Sequence, residues 1–280
     1  MNHDFDRVVV LDFEATCQRS GVPQPQEIIE FPSVLISLEE GRVLDEFSSF
    51  VRPIHHPELS EFCTELTSIV QADVDGAPTF PEVLAAHRAW LEGHGLLHPE
   101  AGAALITCGD WDLQTALPVQ CAASGPPITA LPPIYRRWIN IKKIFAKVKP
   151  RAKGFGMPSM LRGLGMELRG RHHRGIDDCH NIARIALGLA ALGGRFEITG
   201  RLSSSHYPEI EIEVVWGEAR QRTLLRKRHL ATVLGLASGL FKTKMVKVFA
   251  ADGGEIVDDE PLMELAAGSA LRVVSQRELA

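Results

Sequence analysis

Val8-Val9-Val10-Leu11-Asp12-Phe13-Glu14 is the stretch on which the fold turns. Four consecutive apolar residues read as a buried strand. Two carboxylates one residue apart follow it. Alternate side chains of a strand share a face, and two residues advance about 6.6 Å along it. Asp12 and Glu14 therefore emerge side by side from the end of a hydrophobic strand. Adjacent anions at the edge of a core repel unless protons or cations neutralise them. A hard divalent cation does so with oxygen ligands. Taken alone, an Asp-x-Glu pair is a weak signal, because most such pairs are surface charge.

Outward from this strand the pattern is regular. Glu27 to Leu38 and Leu44 to Val51 read as two more strands, joined by the turn Glu39-Glu40-Gly41. Pro81 to Glu92 reads as a helix with Val83, Leu84, His87 and Leu91 on one face. Ala103 to Cys108 is a short strand broken by Gly109, and Trp111 to Ala123 a helix. A last long helix runs from about Asp178 to Leu192, with Ile182, Ile185, Ala186 and Leu189 at helical spacing. Strands first, then alternating helices and strands, predict a three-layer α/β domain with a mixed sheet over residues 1–202. Ser203 to Pro208 is a polar break that reads as a linker. Over 209–280 the pattern restarts with strands at Ile210–Trp216 and Gln221–Leu225, a helix at His229–Phe241, and strands at Met245–Ala250 and Leu271–Val274. That order predicts a separate small α+β domain.

The chain has 280 residues, 45% of them hydrophobic, enough for one large core and a second small one. Met1 to Arg7 is polar and charged, and no apolar run approaches the ~18 residues of a membrane span. Five scattered cysteines without a C-x-x-C pair argue against a disulfide framework or a zinc ribbon. A reducing cytoplasm is the expected location. The net charge of −5 disfavours a nucleic-acid binder, but Arg136 to Arg174 holds twelve basic residues against the single acid Glu167. Such a basic stripe on an acidic chain reads as a phosphate-contacting surface, with a solvated face as the plainer alternative.

Two further segments hold candidate site residues. Gly109-Asp110-Trp111-Asp112 lies where a buried strand becomes a helix, the edge at which α/β sheets gather ligands. Asp110 suits a helix N-cap, leaving Asp112 to face a metal. In Gly170-Arg171-His172-His173-Arg174-Gly175-Ile176-Asp177-Asp178, Asp178 shares the core-facing side of the last helix with Ile182. A helix N-terminus favours its ionised form. A zinc reading of His172, His173, Cys179 and His180 fits no common structural spacing.

Asp12-x-Glu14, Asp112, and His173 with four residues before Asp178 together resemble the DEDDh family of 3′–5′ exonucleases. The likeness is to the branch that trims histone mRNA and small interfering RNA ends, with its bacterial relatives. It runs in order through Asp12-Phe13-Glu14-Ala15-Thr16-Cys17, Glu27-Ile28-Ile29-Glu30-Phe31-Pro32, Phe62-Cys63-Thr64-Glu65-Leu66-Thr67, Trp138-Ile139-Asn140-Ile141-Lys142 and Asp178-Cys179-His180-Asn181-Ile182-Ala183. It covers Val8 to about Gly200. His172 stands where the eukaryotic branch commonly has proline, which leaves two adjacent histidines for one role. The resemblance implies an RNase H-like fold and two Mg²⁺ or Mn²⁺ ions held by Asp12, Glu14, Asp112 and Asp178. It implies His173 as general base and a single-stranded RNA 3′ end as substrate, with 5′-mononucleotides released. Ala15, Phe62, Leu66 and Trp111 are then expected around the terminal nucleotide, with Lys142 and Lys143 contacting phosphate.

The second domain resembles the ubiquitin-like β-grasp fold through the stretch Val246 to Asp259, a strand, a tight Gly turn, a short edge segment and an acidic run, with Pro261 to Leu265 and the last strand Leu271 to Val274. Without a terminal Gly-Gly it reads as a module for docking RNA or a protein partner, with Arg220, Arg222 and Arg226-Lys227-Arg228 near its helix. Two rival functions remain open here. A DNA proofreading or repair exonuclease would use the same metal site, because the sugar is chosen by the pocket. A non-catalytic adaptor on the same fold would have no need of all five candidate catalytic residues.

Overall fold

The run Val8 to Leu11 lies at the centre of a mixed sheet. A computed structural model of the chain describes residues 5–98, 102–203, 210–257, 259–263, 265 and 268–278. Strand β1 (Arg7–Leu11) pairs antiparallel with β3 (Ile28–Ser37) and parallel with β5 (Ala103–Thr107). The short β2 (Glu14–Ala15) and the longer β4 (Arg42–Phe50) both join β3. Beyond β5 come β6 (Arg137–Asn140), parallel, and β7 (Gly200–Arg201), antiparallel. All ten residues of β3 are buried, as a strand covered on both faces requires.

Helices lie on both faces. Val8 and Val10 share a core with Phe145 of α5 (Ile141–Val148) and with Ile182, Ala186 and Leu189 of α7 (Gly175–Ala191). The opposite parity of β3 faces α3 (Phe80–Gly93). Phe31 there packs on His87 with ring centroids 4.5 Å apart. His87 is buried between Ser33 Oγ at 3.0 Å and Tyr135 Oη at 2.8 Å. Burial pushes its pKa down to about 3, so the ring is neutral. Helix α3 starts at a capping box in which the Thr79 N–H donates to Glu82 at 2.7 Å.

Sequence periodicity does not announce α1 (Glu61–Thr67), α2 (Gln71–Asp75), α5 or α6 (Met157–Gly163). These helices have at most eight residues, too few for the 3.6 period to stand out. Caps set two of them: Ser60 Oγ accepts from Cys63 N–H at 3.0 Å, and Asn140 Oδ1 from Lys142 N–H at 3.1 Å. The expected helix from Trp111 to Ala123 divides into a π turn, Asp112–Ala116, and α4 (Leu117–Ser124). Pro118 lacks the N–H that an α register needs, and Leu117 N–H reaches back five residues to Asp112 O.

The chain divides into two units, Met1–Leu202 and Ser203–Ala280. Past Ser203, the expected linker lies outside the described residues. In the second unit β8 (Ile210–Trp216) and β9 (Ala219–Leu225) form a hairpin. Helix α8 (Leu230–Phe241), strands β10 (Met245–Phe249) and β11 (Glu255–Ile256), helix α9 (Glu260–Met263) and strand β12 (Ala270–Ser275) follow. The sheet order is β11-β10-β12-β8-β9, with β12 parallel to β8. Val214, Val233, Val248 and Val273 belong to its own core. Arg228, one of the basic residues named for docking, is 4% exposed and donates to the carbonyls of Leu262, Met263 and Leu265. No helix among the described residues is long and apolar enough to cross a membrane.

The β6–β7 pairing sets a stability test. Gly200 faces the buried Trp138, and a Cβ there would lie 2.3 Å from the indole. Gly200→Ala should cost about 1–3 kcal/mol by overpacking and lower the thermal midpoint. An unchanged midpoint in calorimetry would contradict this contact.

Candidate active site

Asp12 continues the parity of Val8 and Val10 beyond the end of β1, on the face covered by α7. Glu14 opens β2, Asp112 opens the π turn after β5, and Asp178 lies in the first turn of α7. Carboxylate oxygens of Asp12, Glu14 and Asp178 all lie within 4.8 Å of one another. Asp112 has one oxygen fixed by Phe13 N–H at 2.9 Å. Exposure is 8% for Glu14, 5% for Asp112 and 3% for Asp178, so water does little to separate these charges.

Electrostatics follows from that crowding. Burial, then the charges of Asp112 and Asp178, holds the Asp12 carboxyl well above its ordinary range. Burial, then Glu30, raises Glu14 to about 9. Burial raises Asp112 to about 6, against the lowering effect of its bond from Phe13 N–H. The set cannot be fully ionised at neutral pH without added positive charge. An all-oxygen donor set under mutual repulsion fits a hard divalent cation.

Asp178 also organises the histidines. His173 N–H donates to its Oδ2 at 2.8 Å, and His172 Nδ1 lies 2.9 Å from the same oxygen. The two imidazoles stack with centroids 3.9 Å apart. His173 has φ of +66°, a left-handed conformation that bends the chain just before α7. Burial and the neighbouring His172 lower the His173 pKa, which favours the neutral ring.

These groups line a cleft of about 420 Å³. Ala15, Leu66, Trp111 and Lys142 are in its wall. Lys142 passes over Gly109, where a Cβ would be 3.4 Å from Nζ. Two expected contacts are elsewhere. Phe62 lies under the Arg19 guanidinium, 5.4 Å from its ring centroid, and does not line the cleft. Lys143 donates to Thr199 O at 2.8 Å, also outside it. The basic run is no single stripe either: Arg136 is buried, Lys147 pairs with Glu197, and Arg171 donates to Glu65 O at 2.7 Å.

Asp110 does not cap the helix with its side chain. It accepts from the Trp138 indole N–H at 2.8 Å instead. Nor does the His172, His173, Cys179, His180 set assemble. Cys179 is buried with Sγ 3.7 Å from Pro32 O, and His180 pairs with Glu46 at 2.8 Å. Sequence reasoning missed Cys17, Gln26, Cys108, Met157 and Pro158 in the wall, because loops and short helices bring them there. It also gave no role to Glu30, which was visible only as part of a motif.

Buried carboxylates gather at the carboxyl end of a mixed sheet, beside a histidine loop, as an oxygen donor set suited to a divalent metal. The chain belongs to the RNase T type exonuclease family, whose model, described as "Exonuclease", matches residues 9–186. It is 42% identical over 193 residues to ERI1 exoribonuclease 3 of Homo sapiens, covering 69% of this chain and 56% of that protein. With 3′-5′ exoribonuclease 1 of Homo sapiens the identity is 39% over 202 residues, covering 71% and 56%. The chain thus spans about half the length of these relatives. Among solved structures it is similar to the nuclease domain of 3′hExo, a DEDDh family member, bound to rAMP. That match has TM-score 0.65 and 37% identity and covers 71% of this chain and 98% of that one. A 3′-exonuclease solved in 3′-end specific recognition of a histone mRNA stem-loop matches with TM-score 0.67 and 32% identity, over 80% of this chain and 92% of that one. The expected mixed-sheet, RNase H-like exonuclease fold is therefore the fold of the first unit.

The raised Glu14 carboxyl has a consequence for stability. Its ordinary pKa is 4.5 and its folded value about 9. Between them the folded chain holds a proton that the unfolded chain releases, so stability is full below the lower value and is lost as pH rises through the upper. In EDTA the thermal midpoint should fall from pH 5 to pH 9, and Glu14→Gln should flatten that fall. A midpoint that rises with pH over this range in EDTA would contradict the assignment.

Proposed function

We propose that this chain is a 3′–5′ exonuclease that removes mononucleotides from single-stranded RNA 3′ ends, using Mg²⁺ or Mn²⁺. The observation that carries this is the convergence of Asp12, Glu14 and Asp178 in one cleft with Asp112 and the histidine loop. Support for RNA comes from the exoribonuclease relatives and from the solved relative named for recognition of an RNA 3′ end.

Asp12, Glu14, Asp112 and Asp178 would hold the cations. Such a pair of ions would supply Lewis-acid polarisation of the phosphoryl oxygens and would lower the pKa of a water nucleophile. The remaining roles belong to the chain itself. A neutral His173 accepts the proton of the attacking water. Trp111, Leu66 and Ala15 bound the terminal nucleoside, and Lys142 offers positive charge to its phosphate beside Asp112. One observation favours His172 for the proton-accepting role instead: its Nδ1 already lies 2.9 Å from Asp178. With His173 as the base, that contact holds His172 as a stacking wall for it.

Asp12→Asn should abolish release of mononucleotides, and excess EDTA should do the same to the wild type. His173→Ala should lower kcat by ~10²-fold or more, with His172→Ala much milder. Equal losses or the reverse order, measured on one labelled RNA, would move the base to His172.

The second unit is read as a ubiquitin-like β-grasp module. The order β9-β8-β12-β10-β11, with α8 following the first hairpin, supports that reading. We infer that it docks longer RNA or a protein partner and is separable from catalysis. A chain ending at Ser203 should hydrolyse short oligonucleotides at near the full rate. Loss of that activity from a folded fragment would make the second unit part of the active site.

A further inference from the structure

Helix α7 lacks a local cap. Arg174 occupies its N-cap position and makes no side-chain cap bond. Gly175, the first residue of the helix, is buried, so water cannot serve its N–H. The missing acceptor comes from 145 residues upstream. Glu30 on β3 accepts from Gly175 N–H at 3.0 Å and from Ile176 N–H at 3.2 Å, one to each carboxylate oxygen. Glu30 is itself 2% exposed.

The position of this contact matters more than its existence. Glu30 stands directly across from Glu14 in the β2–β3 register, so it ties α7 to the strand pair that presents a site carboxylate. Asp178 lies three residues beyond Gly175 and accepts from His173 N–H at 2.8 Å. The loop from His172 to Arg174 is thus anchored at one end by Glu30, through Gly175 and Ile176, and bound at the other by Asp178. The packing leaves no slack: a Cβ at Gly175 would lie 2.8 Å from Pro32 Cγ, 3.0 Å from Asp12 O and 3.1 Å from Glu30 Oε2.

We propose that Glu30 is a positioning residue for the reaction: by holding the first two N–H groups of α7 it fixes where the helix begins, and with it Asp178 and the loop bearing His172 and His173. The inference rests on the exonuclease reading of the cleft. Its test has readouts that do not depend on turnover.

Three variants separate reach from charge. Glu30→Ala removes both acceptors, Glu30→Asp keeps the charge but withdraws it by one methylene, and Glu30→Gln keeps one acceptor oxygen at full reach. Leu189→Ala, a core change at the far end of α7, serves as the control for destabilisation alone. For Glu30→Ala and Glu30→Asp, kcat on a short RNA should fall about 10- to 100-fold with KM little changed, as expected for a small misplacement. Glu30→Gln should recover part of that loss, and Leu189→Ala should melt lower while keeping kcat. Independently of activity, amide exchange at Gly175 and Ile176 should speed up in the Ala and Asp variants, and calorimetric affinity for Mn²⁺ should weaken. Should the Ala variant not fold, the Asp and Gln variants decide. Wild-type kcat and Mn²⁺ affinity in Glu30→Asp would overturn the proposal. So would a Gln variant as impaired as Ala beside an active Asp variant, since charge and not reach would then be the requirement. A wild-type chain without nuclease activity would refute the exonuclease reading alone, leaving Mn²⁺ affinity and amide exchange to judge Glu30.

Discussion

Mutual repulsion among Asp12, Glu14, Asp112 and Asp178 is the constraint around which the first unit is arranged. Each sits where the backbone has left regular structure or is just entering it: past the end of β1, at the start of β2, in a π turn, and in the first turn of α7. Burial is the largest cause of the raised pKa of Asp12, Glu14 and Asp112. A fold gains nothing in stability from such a group. The arrangement makes sense as a receptacle for positive charge, supplied by cations and, at its rim, by Lys142.

Backbone donors hold two of these anions, Asp112 and Asp178, together with the neighbouring Glu30. Phe13 N–H fixes Asp112, His173 N–H fixes Asp178, and the N–H groups of Gly175 and Ile176 fix Glu30. Main-chain donors cannot swing away as side chains do, so the cluster is preorganised before any ligand arrives. The unusual geometries serve the same end. The left-handed His173 turns the chain so that its own N–H meets Asp178, and Pro118 forces the wide turn that begins at Asp112.

Much of this was legible in the sequence, for definite reasons. Residues Val8 to Glu14 gave both the central strand and its two carboxylates, because strand parity is strict. Asp112 and Asp178 were found because they stand at changes from strand or loop into helix. What sequence could not supply was contact between distant segments. The start of α7 was expected at Asp178 and lies at Gly175, because its cap is Glu30 and not a neighbouring residue. Asp110 has the composition of an N-cap, yet a distant indole, Trp138, takes its carboxylate. Adjacent charges in sequence likewise part company in space: Lys142 enters the cleft and Lys143 turns to Thr199. Arg228 followed the same rule, drawn inward by three carbonyls of the chain near α9.

The central claim is that this cleft is a cation site whose carboxylates give up protons when the metal binds. Calorimetric titration of the chain with Mn²⁺ at pH 7, in two buffers of unequal ionisation enthalpy, tests it directly. With Glu14 raised to about 9 and Asp12 raised as well, the cleft carries protons at that pH. Binding should therefore release protons, the heats should differ between buffers, and Asp12→Asn should suppress binding. Heats that are the same in both buffers, or Mn²⁺ binding undiminished in Asp12→Asn, would contradict the account.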